Sequence, residues 1–185
     1  MTHRNRAIEA LKLCTLKFNS IGHKIPLDCI QFSILLANKD SNEVKISNGY
    51  SGFGGIPGYI YIQITPNDYT LPRLEHAIAH EFNHQVRFCY EPFSHGNVSV
   101  GDYLVMEGLA ESFAVEVYGK EMIGPWVSNF DKDDLEYSRE IIKDALDVKG
   151  FPEVRSYMFG DDMADTFGYQ RVGLSANAGL QLDMN

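Results

Sequence analysis

The stretch AIAHEFNHQ (residues 77–85) contains two histidines, His80 and His84, four residues apart, with Glu81 directly after the first. Residues four apart on an α-helix lie on the same face, one turn apart, so both imidazoles can reach a single ion. Glu81 is turned by about 100° from His80, where it can reach a water on that ion without binding the ion itself. The stretch therefore satisfies the pattern HExxH, which predicts a zinc site with its own base.

A third histidine, His76, also stands four residues from His80, but Ala77 follows it and supplies no base. We expect His76 to be a neighbour of the site rather than a ligand. The opposing interpretation of the whole stretch is a histidine-rich amphipathic helix that binds no metal. A catalytic zinc needs a third protein ligand, so the rest of the chain decides between the two interpretations.

The segment EGLAES (residues 107–112) supplies the best candidate for that third ligand. QVRFCY follows His84, which excludes the arrangement HExxHxxGxxH. His95 falls in a predicted loop and Asp102 at a predicted helix cap, so neither has a rigid platform. Glu107 lies on a second predicted helix, and Glu111 follows it by one turn. A carboxylate at Glu111 could accept a hydrogen bond from the outer ring nitrogen of a zinc-bound histidine.

HEFNH, a gap of 22 residues and EGLAE together resemble the gluzincins, in which a glutamate on a second helix is the third zinc ligand. With the strand pattern YIYIQIT upstream, the chain is similar, over about residues 57–118, to the predicted zinc-dependent proteases of domain of unknown function 2268. The resemblance implies that His80, His84 and Glu107 bind one Zn²⁺ and that Glu81 is the base. It also implies that Glu111 supports a histidine ligand.

The C-terminal part of the chain follows the family pattern GYxxGY only in its first half. The segment FGYQRVGLSANAG has Gly168 and Tyr169 in place, whereas the second pair reads Gly173 and Leu174, one residue late and without the aromatic ring. The resemblance implies metal-assisted hydrolysis, with Glu81 moving a proton from water to the leaving amine.

An oxyanion stabiliser beyond the metal is expected in such a site, usually Tyr, His or Arg. The candidates in this sequence are Tyr169, Tyr157, His95 and Tyr137, with Tyr169 favoured by the partial GY match. Each of these tyrosines is more often a packing residue than a catalytic one.

The fold class that we expect is α+β. Helical spacing predicts a helix over 5–18, and short apolar runs predict strands over 29–38, 43–47 and 59–65. The glycine-rich segment 48–58 predicts a turn or flexible loop.

Three further helices are predicted in the rest of the chain. They span 70–90 with Thr70 as cap, 102–118 with Asp102 as cap and Gly119 as stop, and 131–148 with an acidic start. We therefore expect a zincin-like (minigluzincin) fold, with a small, mostly antiparallel sheet packed on the HExxH helix and a helical C-terminal half. Residues 1–185 would form a single domain, whose active-site core is at about 57–118. The strand at 59–65 could add an extended peptide if its register leaves one edge unpaired, but the favoured interpretation is a strand of the sheet core.

Composition limits the partners of the chain. The formal net charge is -9, with 16 Lys and Arg against 25 Asp and Glu, which argues against binding to a phosphate backbone. Nothing in the sequence resembles a signal peptide, and no apolar stretch approaches the length of a membrane span. The three cysteines form no CxxC pair, which favours reduced thiols and a cytoplasmic location.

Two functions of different classes remain open at this point. The first is a zinc metallopeptidase acting on a peptide or protein, which the presence of Glu81 favours because a structural zinc needs no base. The second is a zinc-binding regulatory or peptide-binding module without turnover, towards which the incomplete GYxxGY pattern leans. A weaker third option is a metallohydrolase that cleaves another amide or an ester.

Overall fold

The computed structural model describes residues 2–22, 25–41, 44–45, 47–94, 96–128 and 131–182. Eight α-helices have both ends within these residues: α1 (His3–Ser20), α2 (Leu74–Tyr90), α3 (Val100–Tyr118), α4 (Pro125–Ser128), α5 (Lys132–Lys143), α6 (Phe151–Phe159), α7 (Asp161–Phe167) and α8 (Ala178–Leu182). Three strands form one sheet: β1 (Gln31–Leu36), β2 (Tyr50–Ile56) and β3 (Tyr59–Ile64). The α+β class is therefore confirmed. None of the helices in the described residues is long and apolar enough to span a membrane.

The chain divides into two compact units. One unit comprises the chain up to Pro92 together with Ala110–Ile123, and the other comprises Phe93–Leu109 together with the chain from Gly124 onward. Helix α3 is continuous and crosses the boundary between the units. Its residues up to Leu109 belong to the second unit, and those from Ala110 belong to the first. The single-domain organisation of residues 1–185 stays a prediction.

The sheet belongs to the first unit and has the strand order β1-β3-β2. β1 pairs with β3 in parallel, and β2 pairs with β3 antiparallel, so the sheet is mixed rather than mostly antiparallel. The strand pattern at 59–65 is correct, but β3 lies in the centre and is paired on both sides. The interpretation of this strand as sheet core is therefore confirmed, and the alternative of an edge for a peptide is excluded at β3.

Helix α2 packs against α1, β2 and β3. Alternate residues of β3, Ile60, Ile62 and Ile64, are buried, as the period of two in a strand requires. The ring of Phe18 on α1 lies 5.7 Å from that of Phe82 on α2. A paired guanidinium and carboxylate, Arg6 and Glu75, also join these two helices, with Nε 2.5 Å from Oε1. These contacts give α2 a fixed place beside the sheet.

Two short segments differ from the sequence predictions. Val44 and Lys45 are helical, so the strand expected over 43–47 is wrong. The segment 48–58, expected to be a loop, instead contains strand β2. The one-residue offset between the Phe53–Tyr61 and Ile56–Tyr59 pairs is a β-bulge, and it falls in the glycine-rich part of that strand.

The second unit is built from helices around an apolar cluster. Its buried members are Val100, Ile142, Val154, Met158, Leu174, Ala178 and Leu180. Asp131 caps α5 by accepting hydrogen bonds from the backbone N–H groups of Asp133 (2.8 Å) and Asp134 (3.3 Å). Helix α5 ends at Lys143 and is shorter than the helix expected over 131–148. The expected helical C-terminal half is confirmed.

Candidate metal centre

Helix α2 carries the HExxH residues beside a buried apolar row. Leu74, Ile78 and Phe82 recur every four residues and are each 1% exposed, so burial of this row fixes the rotation of the helix. His80 and His84 lie on a neighbouring row, and their ring centroids are 4.8 Å apart. The start of the helix differs from the prediction, because the hydroxyl of Thr70 donates to Thr65 O (2.6 Å) and a 3₁₀ turn, Leu71–Arg73, precedes α2.

Three side chains with metal-binding atoms converge in the structure. His80, His84 and Glu107 each offer one ligand atom, and these atoms all lie within 4.8 Å of one another. His84 is buried, and His80 and Glu107 are partly exposed. Two imidazoles and one carboxylate are the donor set of catalytic zinc sites that keep one position for water.

The carboxylate of Glu111 bridges two histidines of α2. Its Oε2 lies 3.0 Å from Nδ1 of His80, and its Oε1 lies 3.6 Å from Nε2 of His76. Glu111 and His76 are each 3% exposed. Because Nδ1 of His80 faces a carboxylate, a proton on that nitrogen would form the hydrogen bond, and Nε2 would keep a lone pair for an ion.

Burial lowers the pKa of His76, although the neighbouring Glu111 carboxylate acts in the opposite direction. The lowered pKa favours the neutral imidazole of His76. The three converging ligand atoms do not include one of His76, and its role as a neighbour of the site stays a prediction.

The start of helix α3, which carries Glu107 and Glu111, is set by a reciprocal pair of hydrogen bonds. The backbone N–H of Asp102 donates to Oγ of Ser99 (3.1 Å), and the backbone N–H of Ser99 donates to Oδ2 of Asp102 (3.0 Å). This is a capping box, in which Ser99 is the cap and the side chain of Asp102, in the first turn, accepts the reciprocal hydrogen bond. The prediction that Asp102 caps the helix is therefore wrong by three residues. Gly119, with φ of 93°, follows the end of α3 as expected.

Glu81 points to the sheet side of α2. The residue is buried, with 7% of its surface exposed, and its side chain lies against Gly52 and Gly54 of β2. A buried carboxylate beside two histidines of the same helix is suited to exchange a proton with water in the site.

The proposed oxyanion stabilisers differ in their surroundings. Tyr157 is partly buried and packs against the apolar cluster of the second unit, and the ring of Tyr169 stacks on Phe167 at 5.8 Å. Tyr137 is 54% exposed. His95 lies outside the described residues. The catalytic roles of these residues stay predictions.

Sequence reasoning missed three features near the HExxH helix. Gln85, one residue after His84, is fully buried and hydrogen-bonded to the backbone of the β2–β3 hairpin. The sequence pattern assigns Gly52 and Gly54, which contact Glu81, only to a turn or flexible loop. A glutamine has no special motif, and glycine patterns predict loops, so only the three-dimensional contacts distinguish these residues.

The residues present fit a zinc ion. The ligand atoms of His80, His84 and Glu107 lie close enough together to share one ion. Glu111 supplies the carboxylate that zinc-binding histidines commonly have on their second ring nitrogen. The donor set and its support therefore agree with zinc rather than with calcium or magnesium, which prefer oxygen ligands alone.

Comparisons with known proteins give one family. The sequence model of the family DUF2268, described as a predicted Zn-dependent protease, matches residues 4–177. An uncharacterized protein of Bacillus subtilis strain 168, YjfC, is 57% identical over 150 residues, which is 81% of this chain and 50% of the relative. The chain thus spans about half the length of the curated relative that it matches. No solved structure gives a significant match.

Proposed function

Since the chain belongs to the DUF2268 family of predicted Zn-dependent proteases, we propose that it is a zinc metallopeptidase with one Zn²⁺. The observation that carries this proposal is the convergence of the ligand atoms of His80, His84 and Glu107 within 4.8 Å. In this function the three residues hold the ion. The zincin-like, minigluzincin fold belongs to the same proposal, and the packing of β2 and β3 against the HExxH helix supports it.

Each residue has a separate task in the reaction. When bound, zinc acts as a Lewis acid that makes water a better nucleophile and polarises the scissile carbonyl. Glu81 accepts the proton that the attacking water loses and then gives it to the leaving amine. Glu111 holds the proton on Nδ1 of His80, so that the other ring nitrogen is free to bind the ion.

The sheet supports a peptide as the substrate. Among the described residues, β2 pairs only with β3, so the outer edge of its first half, at Gly52, could add an extended chain. Gly52 in this half lies against the side chain of Glu81. A peptide added to this edge would therefore run past the proposed base.

The cysteines support a cytoplasmic location for this activity. Cys14, Cys29 and Cys89 are all free thiols in the structure, as a reducing compartment requires. The location belongs to the proposal, and fractionation of the native cell with an antibody to the protein checks it.

The test compares the wild type with Glu81→Gln, both loaded with zinc and offered a diverse peptide library read by mass spectrometry. The wild type should cleave. The variant should keep its zinc and lose turnover by about 100-fold or more, the usual contribution of a positioned acid or base. Glu136→Gln makes the same change at an exposed position of α5 and should cleave as the wild type does. Equal cleavage by Glu81→Gln would refute the base, and a zinc-binding wild type without cleavage would favour the binding module.

A further inference from the structure

Gly52 of β2 leaves room for the side chain of Glu81. A Cβ atom placed on Gly52 would lie 2.7 Å from both Cγ and Cδ of Glu81, and closer still to Oε1. Non-bonded Cβ contacts under 3.0 Å essentially do not occur in proteins. The carboxylate of Glu81 therefore occupies the space that any other residue at position 52 would fill.

Gly54 contacts Glu81 in the same way, two residues further along the strand. A Cβ atom on Gly54 would lie 2.7 Å from the backbone oxygen of Glu81 and 2.9 Å from Oε2. Residues i and i+2 of a strand face the same side, so the two glycines together make one bare patch on β2. Glu81 fills that patch, and its two carboxylate oxygens are each opposed by one glycine.

Gln85 keeps strand β2 from moving away from this contact. Its side-chain N–H groups donate to the backbone oxygens of Gly54, Ile56 (2.8 Å) and Tyr59 (3.1 Å). Its Oε1 accepts a hydrogen bond from the backbone N–H of Gly58 (2.6 Å). Gln85 follows Glu81 by one turn of α2, so the same helix supplies both the carboxylate and the clamp on the strand beside it.

From these contacts we propose that Gly52 and Gly54, here called the glycine pair, position the Glu81 carboxylate for proton transfer. This inference rests on the proposed function, because it takes Glu81 as the base. The glycine pair acts through Glu81 and does not touch the reacting atoms itself. Displacing a catalytic group by about 1 Å costs on the order of 100-fold in rate, which is the effect expected when a methyl group enters the space of the carboxylate.

Gly52→Ala is the informative variant, because its new methyl meets the end of a side chain, which can move. At Gly54 the methyl would meet the backbone of α2, so Gly54→Ala is expected to damage the fold as well. Gly55→Ala is the matched control. It adds the same methyl to the same strand, where the nearest atoms belong to the ring of Phe53 (2.9 Å), which can rotate.

The first measurement is peptide cleavage by the zinc-loaded proteins. Gly52→Ala should lose kcat by on the order of 100-fold, with KM and zinc content unchanged, whereas Gly55→Ala should keep the kcat of the wild type. In the Gly52→Ala background, Glu81→Asp should cost less kcat than it does in the wild type, because the shorter side chain vacates the contested space. An unchanged kcat in Gly52→Ala, when the wild type cleaves, would overturn the proposal.

The second measurement uses metal-free protein and needs no turnover. Gly52→Ala should lower the urea midpoint of unfolding, and the shift should shrink when Glu81→Ala removes the opposing side chain. If Gly52→Ala alone does not fold, the added Glu81→Ala change should restore folding. Additive midpoint shifts, or no restoration, would overturn the proposal. If the midpoint shifts of Gly52→Ala and Glu81→Ala are coupled but the wild type cleaves no peptide, the contact is supported and the peptidase function is rejected. Failure of the glycine-pair proposal is therefore distinguishable from failure of the proposed function.

Discussion

Nδ1 of His80 on α2 lies 3.0 Å from Oε2 of Glu111 on α3, although 31 residues separate the two in the sequence. The carboxylate is 3% exposed, so its charge is removed from water and acts strongly on the imidazole that it faces. This contact links the proposed ligand on one helix to a residue on another that binds no ion itself.

Replacing Glu111 with Ala should therefore weaken zinc binding by about 10–100-fold, because His80 loses the group that fixes its tautomer and ring orientation. Competition with a chromogenic chelator measures the affinity. Glu116→Ala is a control on the same helix, where an exposed carboxylate pairs with Lys17 (2.7 Å), and it should bind zinc as the wild type does. Equal affinities for the wild type and Glu111→Ala would remove Glu111 from the centre.

Glu107→Ala should weaken zinc binding at least about tenfold more than Glu111→Ala, because it removes a proposed ligand rather than the support of one. The same chelator competition applies, together with metal analysis of the purified protein. Glu140→Ala, at an exposed position of α5, is the control for loss of one carboxylate. A zinc affinity unaffected by Glu107→Ala would mean that another residue completes the site.

Gln85→Leu should lower the free energy of unfolding by about 3 kcal/mol, because it leaves several backbone groups of the β2–β3 hairpin without their partner. Urea denaturation followed by circular dichroism measures this loss. Gln63→Leu makes the same substitution at a partly buried position of β3 and should change stability much less. Equal losses in the two variants would show that the clamp at Gln85 adds nothing to the hairpin.

Asp161 in the second unit should make stability depend on pH. Burial raises the pKa of Asp161, but hydrogen bonds from the backbone N–H of Val172 and Gly173 and from Arg171 outweigh it and lower the pKa overall. A carboxyl group whose folded-state pKa is depressed stabilises the fold above its unfolded pKa of about 3.9. That contribution is lost as the pH falls through the lower folded-state pKa.

Asp161→Asn should thus be less stable than the wild type at pH 6–7, and the difference should shrink as the pH falls below about 4. Urea midpoints of both proteins between pH 2.5 and 7 give the comparison. Asp165→Asn, which changes a more exposed partner of Arg171, is the control and should show a smaller pH-dependent difference. If the difference in urea midpoint between the wild type and Asp161→Asn does not depend on pH, the lowered pKa of Asp161 is contradicted.

The parts of the fold that follow local rules could be predicted from the sequence. The row of Leu74, Ile78 and Phe82 has helical spacing, and the alternating isoleucines of β3 have the spacing of a strand, so both elements were predicted. The segment 43–47 was too short for its pattern to separate strand from helix. At α3 the reciprocal bonds between Ser99 and Asp102 start the helix earlier than a search for a single capping residue suggested.

Strand β2 could not be predicted, because its glycines serve a distant contact rather than a turn. Glycine has a low intrinsic preference for strands, so GFGG favours a loop when only its neighbours in sequence are considered. In the structure Gly52 and Gly54 lie in the strand, and a side chain at either position would collide with Glu81. The approach of His76 to Glu111 could not be predicted either, because no local sequence pattern relates two residues on different helices.

Helix α2 has two rows of residues with partners in other elements, the histidines at 76, 80 and 84 and the sheet-facing pair of Glu81 and Gln85. Deleting one residue within 76–85 would rotate everything after it by about 100°, so one row or the other would lose its partners. Related chains that keep this site should therefore align across these ten positions without a gap. Length variation in such chains is expected outside this segment, and an alignment that opens a gap here marks either an error or a protein with a different site.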